Sequence, residues 1–295
     1  MRPVIVAPVD APALPPTWVS PELTSGLGNR LFQYAAAAGL AETWARPVAF
    51  YLPELKACPH GSASTLFKMY PQVPLIESNG SGIYELKEHP RRFYDYMPFG
   101  QPPAMNYPVV VRGFRQSPLY FPRDLSRLEP NWDSALGGAS MRRYIEGASQ
   151  LASEEEQART VSLHVRLGDY RKLPHHQEDL ALYYMRALEK VPAGSRLHLF
   201  SDEPELCSGT FAVACRARGL HFSQAAVRSD IESLYEMSLC RGGNICANST
   251  FSWWGAWFAH AAGSPWATMP DKWGAGMPEP TDLFPEWADI IPTKG

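Results

Sequence analysis

Repeated alternation between strand-like and helix-like segments in the second half of the chain is the strongest constraint on its fold. Short apolar or alternating runs are typical of strands, and longer runs with apolar residues three and four apart are typical of helices. In chain order these segments read "TVSLHVR", "EDLALYYMRALEK", "SRLHLFSDE", "PELCSGTFAVACRARG", "LHFSQ", "SDIESLYEMSLC", "GNICAN" and "TFSWWGAWFAHAA". The pattern predicts a parallel sheet with helices packed on its faces.

The first half of the chain carries a shorter pattern of the same kind. The loop "SGLGNR" precedes an Ala-rich amphipathic helix predicted over 29–44, and a strand is predicted over 47–51. The segment "YPVVVRGF" predicts a further strand. Both halves together predict the α/β class, with two α/β domains that face a cleft.

The composition predicts three regions along the chain. Residues 1–20 are interpreted as a loosely attached leader, because the prolines in its first 16 residues exclude a helix. Residues 21–150 are predicted to form the N-terminal domain. Residues 151–295, which open with the charged helical stretch "LASEEEQART", are predicted to form the C-terminal domain.

Charge and composition exclude several classes of partner. There are 27 basic and 30 acidic residues, a net charge of -3, and no dense basic run, so nucleic acid is not an expected partner. No stretch approaches the roughly 20 apolar residues of a membrane helix, and a signal peptide is absent, which predicts a soluble, cytoplasmic chain without membrane insertion. The five cysteines form no C-x-x-C pair and are interpreted as mostly buried thiols.

The segment "HVRLGDY" supplies the first candidate site residues. In an open parallel sheet, ligands bind beyond the carboxyl ends of the strands. His164 and Arg166 share one face of the predicted strand, and Gly168 turns the chain to present Asp169. A guanidinium at a strand end suits a phosphate group. The alternative is a structural ion pair between Arg166 and Asp169, with His164 in the core, and the spacing leaves both open.

The next two strand ends supply further candidates. In "FSDE", Ser201 and Asp202 could bind a ligand hydroxyl, a ribose or a base, but capping of the following helix is the favoured interpretation. In "ANSTFSWWGAWF", a polar loop leads into a helix predicted to begin near Ser252, which is the geometry of an anion site. Its polar residues could equally be caps, and its aromatic residues are predicted to lie in the core.

The glycine loop of the first half carries weaker information. Gly28 permits close backbone approach, and Asn29 could cap the helix or reach across a cleft. The loop matches neither a dinucleotide fingerprint nor a Walker loop, and the sequence has no D-x-D pair and no metal-ligand spacing, although His175 and His176 are adjacent. Arginine and helix dipole, rather than a metal ion, are therefore expected to neutralise a bound diphosphate.

Four segments together, "GLGNRLFQYA", "HVRLGDY", "FSDE" and "CANSTFSWWGAW", resemble the α1,2-fucosyltransferases in order and approximate spacing. That family transfers L-fucose from GDP-fucose to a glycan hydroxyl. "GFRQSPLYF" looks like a fifth family segment, and the resemblance spans roughly Gly26 to Trp257. The chain departs from the pattern at Leu167 and Arg30, where the family commonly has Arg and Gln, and the leader stands where a short strand usually opens the chain.

The resemblance implies a GT-B-like fold of two Rossmann-like α/β domains, with the acceptor on the N-terminal side and the donor in the C-terminal half. It implies no metal and no cofactor beyond the co-substrate GDP-fucose, and it places Arg166 on the diphosphate. The positions that it assigns to the donor site are Gly28, Asn29, His164, Arg166, Asp169, Ser201, Asp202, Asn248, Ser249, Thr250, Phe251 and Ser252.

The reaction expected from the resemblance is inverting transfer of L-fucose to an oligosaccharide or glycan acceptor, α1,2 to galactose. Asp169 ranks first as the general base, ahead of Glu178, Asp179 and His176 in the following loop. Two alternatives stay open at this point. One is a transferase that uses another GDP-sugar, and the other is a non-catalytic nucleotide- or glycan-binding relative.

Overall fold

The computed structural model of the chain describes residues 17–55, 64–77, 82–89, 94–103, 106–172, 174 and 178–294. The prolines of the predicted leader up to Pro16, the thiol of Cys58, and the pair His175 and His176 lie outside the described residues.

The chain divides by its contacts into two compact units, Met1–Asn131 and Trp132–Gly295. This division falls earlier than the boundary at 150 that the composition predicts. The reason is the packing of helices α3 (Trp132–Leu136) and α4 (Ala139–Ala148) within the second unit. The ring of Trp132 contacts the rings of Tyr235 at 5.2 Å and Phe258 at 5.5 Å between centroids.

The described residues of the first unit form a parallel sheet of three short strands and a separate parallel pair of strands. The elements are β1 (Val19–Pro21), α1 (Leu27–Thr43), β2 (Phe50–Tyr51), α2 (Thr65–Met69), β3 (Leu75–Ile76), β4 (Tyr84–Leu86) and β5 (Val109–Val111). The strand order in the sheet is β1-β5-β4, and the pair joins β2 to β3. Helix α1 packs against the sheet through Ala37, Leu40 and Ala41, which form a core with Val19 and Val109.

The end of the predicted leader is a strand of this sheet, which corrects the sequence analysis. Val19 is fully buried, its amide donates to the carbonyl of Pro47, and β1 pairs with β5 from Val19 to Pro21. A three-residue strand is too short to show a period, and neighbouring prolines hide it. A short opening strand is therefore present at this place in the chain.

The second unit contains a six-stranded sheet in which every pair is parallel, as the alternation predicts. The strands are β6 (Thr160–Val165), β7 (Arg196–Ser201), β8 (His221–Gln224), β9 (Gly243–Ile245), β10 (Ala267–Pro270) and β11 (Ala288–Ile291). Their order in the sheet is β11-β10-β9-β6-β7-β8. The sequence analysis did not predict β10 and β11.

Helices cover both faces of this sheet. They are α5 (Glu154–Arg159), α6 (Ala181–Ala187), α7 (Pro204–Ala217), α8 (Asp230–Ser238) and α9 (Thr250–Ala261). One sheet face is apolar, and its side chains from β6 and β7 pack with buried residues of α6 and α7. Trp253 and Trp254 of α9 are fully buried. This confirms the prediction that they belong to the core.

A charged residue is buried on helix α8. Glu236 is 1% exposed and accepts a hydrogen bond from the hydroxyl of Ser149. Its Oε1 lies 2.8 Å from Nε2 of His198 on β7, and its Oε2 lies 3.1 Å from Nε of Arg228 in the loop before α8. Because Ser149 follows α4, this carboxylate joins a peripheral helix and a loop to the sheet.

Candidate functional site

The sheet of the second unit has a topological switch point between β6 and β9. From β6 the chain proceeds outward through β7 and β8, and it then returns to the other side of β6 with β9. Ligands of open parallel sheets bind outside the carboxyl ends of the strands at such a point. The loop after β6 begins with Arg166, and the loop after β9 contains Asn248, so both sequence-predicted segments flank this point.

A pocket of about 530 Å³ opens at this edge of the sheet. Arg166 and Asn248 are both part of its wall, which confirms that the fold brings the first and third predicted segments to one cavity. The remaining wall comes from the end of β6, the loop that follows it and the start of α6. Its residues are Val165, Leu167, Tyr170, Arg171, Glu178, Asp179, Leu180, Ala181 and Tyr184.

The guanidinium of Arg166 is held by two carboxylates. Its Nη2 lies 2.5 Å from Oδ1 of Asp169, and its Nη1 lies 3.0 Å from Oδ2 of Asp202. The guanidinium carbon also lies 5.5 Å from the ring centroid of Tyr170. The ion pair with Asp169, which the sequence leaves as an alternative, is thus present. It does not remove Arg166 from the pocket wall.

Asp202 links the ends of two strands. Its Oδ1 accepts a hydrogen bond from the amide of Leu167 at 2.9 Å, while its other oxygen contacts Arg166. A Cβ atom on Gly168 would lie 2.4 Å from Oδ2 of Asp202, so a larger residue there would displace this carboxylate. Both oxygens of Asp202 are already engaged, and the structure therefore gives it a role in orienting Arg166.

Ser201 makes the local contact that the capping interpretation expects. Its Oγ accepts a hydrogen bond from the amide of Glu203 at 3.1 Å. The residue that precedes α7 is Glu203 itself, without a side-chain cap, and Pro204 opens the helix. Asp202 is therefore not the helix cap, because its carboxylate is turned toward the loop after β6.

His164 lies in the interior beside Phe251. It is 6% exposed, the two ring centroids are 5.8 Å apart, and its buried Nδ1 has no hydrogen-bond partner among the described residues. Burial, and then the neighbouring charge of Arg166, lower the pKa of His164 to about 3. The imidazole is therefore neutral near pH 7, as the core alternative implies.

This neutral imidazole predicts an acid-dependent loss of stability. Because its pKa falls from 6.5 to about 3 on folding, its contribution is complete above pH 6.5 and is lost as the pH falls toward 3. Near pH 5 the expected loss in the free energy of unfolding is about 2 kcal/mol. Denaturant titration gives the free energy of unfolding near pH 7.5 and near pH 5. The difference between these two free energies should be about 2 kcal/mol smaller in His164→Gln than in the unchanged chain.

The matched control for this experiment is His221→Gln, because His221 is exposed on β8. That variant should keep the full pH dependence. If His164→Gln shows the same difference in the free energy of unfolding between the two pH values as the unchanged chain, the assignment of acid sensitivity to this buried ring is contradicted.

The loop between β9 and α9 is held mostly by its own hydrogen bonds. Asn248 is 3% exposed, and its Nδ2 donates to the carbonyl of Trp273 at 3.1 Å. Ser249 caps α9 by accepting from the amide of Phe251 at 3.3 Å, and Ser252 bonds the amide of Ala247 at 3.2 Å.

The helix itself begins at Thr250, two positions before the predicted start near Ser252. The loop is also tied to the first segment, since the Tyr170 hydroxyl donates to the carbonyl of Asn248 at 3.3 Å. Capping thus occupies part of this loop, as the alternative interpretation requires. The buried Asn248 side chain supports the backbone, and the loop reaches the pocket at that residue.

Gly28 and Asn29 belong to the first unit, inside the first turn of α1. The N-cap of α1 is Gly26, which makes no side-chain cap, so the capping role considered for Asn29 is wrong. Its Nδ2 instead donates to the Ser25 hydroxyl at 2.8 Å, and its Oδ1 accepts from Nε2 of Gln116 at 2.7 Å. Gln116 comes from "GFRQSPLYF", so two of the recognised segments meet within this unit.

Among the pocket residues that were not predicted for the donor site are Tyr170, Arg171 and Glu178. Tyr170 contacts both Arg166 and the loop before α9, and Arg171 pairs with Glu203 at 2.5 Å. Glu178 was considered only as a base. For Tyr170 the available signal was its place at the end of "HVRLGDY", whereas no sequence pattern indicated Arg171.

Other kinds of site receive no support within the part of the chain that the structure describes. No group of three or more His, Cys, Asp or Glu side chains there could hold a metal ion. No helix in those ranges is both long and apolar enough to span a membrane. The described cysteines, Cys207, Cys215, Cys240 and Cys246, are free and buried, as predicted.

Comparison with known proteins gives one sequence relative and a shared fold. No protein-family model matches the chain. The chain is 33% identical over 142 residues to the O-antigen biosynthesis glycosyltransferase WbnK of Escherichia coli. This alignment covers 46% of each chain. The chain thus aligns with less than half the length of the curated relative it matches.

The solved structures include the fucosyltransferase NodZ from Bradyrhizobium, with 13% identity over 81% of this chain and 92% of that chain, at a TM-score of 0.50. The structure of NodZ alpha-1,6-fucosyltransferase co-crystallized with GDP gives 14% identity over 81% and 91%, at a TM-score of 0.46. The first of these likenesses shows the fold. The chain has the α/β fold with parallel sheets of NodZ, as the sequence predicts.

Proposed function

We propose that the chain is an inverting glycosyltransferase that transfers L-fucose from GDP-β-L-fucose to a glycan hydroxyl, in α1,2 linkage to galactose. The observation that carries the proposal is the shared pocket wall of Arg166 and Asn248 at the switch point of the sheet. A guanidinium and the start of a helix are two devices by which proteins bind diphosphates without a metal ion.

The diphosphate is proposed to bind the guanidinium of Arg166 beside the two carboxylates that hold it. Asp169 contacts Nη2 of Arg166, and Asp202 contacts Nη1. Asp202 is also anchored by the Leu167 amide, so the two carboxylates orient the guanidinium. The remaining N–H groups of the guanidinium donate to the phosphate oxygens.

The proposed reaction is a direct displacement at the anomeric carbon of fucose. The bond from that carbon to the diphosphate breaks while the bond to the acceptor oxygen forms, and the sugar acquires oxocarbenium character. Arg166 and the amide end of α9 stabilise the negative charge that develops on the departing GDP. The reaction as proposed needs neither a divalent metal nor any cofactor besides GDP-fucose.

Finer parts of the proposal rest on sequence likeness. The α1,2 linkage and the galactose acceptor come from the resemblance to the α1,2-fucosyltransferases. A role in glycan assembly also agrees with the relative WbnK, a glycosyltransferase of O-antigen biosynthesis. We further propose that Gly28 and Asn29 take part in donor binding and that the protein acts in the cytoplasm.

The test is incubation with GDP-fucose and a panel of β-galactosides without divalent metal. Acceptor-dependent release of GDP is expected, and NMR of the product should show an α-fucoside on the 2-hydroxyl of galactose. GDP binding without release for any acceptor would favour the non-catalytic alternative. Release from another GDP-sugar but not from GDP-fucose would overturn the donor assignment.

A further inference from the structure

The wall of the pocket contains the carboxylate of Glu178. Its side chain is 8% exposed, and the residue lies three positions before α6. Its Oε1 lies 3.6 Å from Nζ of Lys294, a side chain that is itself 76% exposed. At that separation the two groups form a long ion pair rather than a hydrogen bond.

The other carboxylates of this region are already engaged. Asp169 contacts Arg166 at 2.5 Å, and Asp202 divides its oxygens between Arg166 and the Leu167 amide. Asp179 also lines the pocket, but it accepts a hydrogen bond from the amide of Ala181 at 3.0 Å and so supports the start of α6. Proton abstraction by any of these three would compete with the contact that it makes.

The backbone that carries the cation near Glu178 is hydrogen-bonded to helix α6. Nη1 of Arg186 on α6 donates to the carbonyl of Pro292 at 3.0 Å and to that of Lys294 at 3.1 Å. The backbone of Lys294 is therefore attached to the helix that follows Glu178. This arrangement places a positive charge near the carboxylate, and among the described residues the carboxylate makes no shorter contact than this pair.

We propose that Glu178 is the general base of the transfer, a role that rests on the proposed function. The acceptor hydroxyl gives its proton to the Glu178 carboxylate while its oxygen bonds to the anomeric carbon. The bond between that carbon and the diphosphate oxygen breaks, and its electron pair leaves with GDP at Arg166. Glu178 afterwards releases the proton to solvent. Asp169, first in rank from the sequence, is left to orient Arg166.

The direct test is Glu178→Gln, which keeps the size of the side chain and removes its basicity. The rate constant kcat with a galactoside acceptor should fall by about a hundredfold or more. GDP affinity, measured by calorimetry, should change less than about threefold, because the base does not contact the nucleotide in this mechanism. Glu189→Gln is the matched control, since Glu189 is exposed and outside the pocket wall.

Two further readouts separate a base from a structural residue. Azide attacks the anomeric carbon without losing a proton. Glu178→Gln should therefore form fucosyl azide from GDP-fucose at close to the rate of the same azide reaction in the unchanged protein. Glu178→Asp should recover part of the activity with galactosides.

The outcomes distinguish this proposal from the broader one. If the unchanged protein transfers fucose and Glu178→Gln keeps near-normal turnover, the role of Glu178 is overturned and the proposed function stands. Loss of GDP binding or of azide transfer in Glu178→Gln also overturns it, because a base is needed for neither. An unchanged protein that is inactive with every donor and acceptor overturns the proposed function itself.

Discussion

Arg166→Ala should lower the rate of fucose transfer by about a hundredfold or more. The guanidinium is the charge that the departing GDP gains in the proposed transition state. Its removal also leaves the carboxylates of Asp169 and Asp202, both in contact with it, without their counter-ion. Those two negative charges would then oppose the diphosphate. GDP affinity, measured by calorimetry, should fall together with kcat.

Two companion variants make this expectation specific. Arg166→Lys keeps one positive charge but loses the planar fork, so its activity should lie between those of the alanine variant and the unchanged chain. Arg159→Ala, at an exposed arginine of α5, should leave activity unchanged. The alanine variant must retain the thermal transition of the folded protein. Near-normal turnover in a folded Arg166→Ala would refute the proposed diphosphate site.

Glu236→Ala is expected to destabilise the second unit by about 3 kcal/mol. The carboxylate is 1% exposed and is shared by Ser149, His198 and Arg228, so the truncation leaves their polar groups without a buried partner. Removing one member of a buried ion pair costs far more than the pair itself contributes. Denaturant unfolding followed by far-UV circular dichroism measures the change.

Glu236→Gln separates the charge from the hydrogen bonds at this position. The amide keeps the shape and an acceptor oxygen for Ser149 and His198 but gives up the negative charge facing Arg228, so a smaller loss of stability is expected. Glu189→Ala on the surface serves as the control and should change the free energy of unfolding by at most about 0.5 kcal/mol. A loss in Glu236→Ala no larger than that of Glu189→Ala would show that the cluster does not support the fold.

The regular part of the fold was predictable because its signal is local. In β6, residues such as Leu163 alternate with His164 along the strand, and the alternation reports the two faces of a sheet directly. The strands β1 and β11 were missed for the opposite reason. Each has three or four residues, and β11 has an irregular burial pattern because it lies at the sheet edge.

The sequence predicted some residues of the candidate site but not the contacts that they make. Arg166 and Asn248 were chosen because strand ends of a parallel sheet meet at one edge, and the pocket confirms that they do. The engagement of Asp202 with Leu167 and Arg166 could not be inferred, since it depends on the pairing of β6 with β7. Capping was expected of Asp202, and the carboxylate turned to the neighbouring loop instead.

By itself, the sequence determined the α/β class, the parallel sheet of the second unit and the strand ends that carry the polar residues. These features follow from side-chain periodicity and turn residues, which act over a few positions. Only the tertiary structure decided the strand order, the two carboxylates on Arg166 and the different surroundings of Glu178. Each of those depends on which distant segments pack together, and the free energy of that packing is not encoded in any short stretch of the chain.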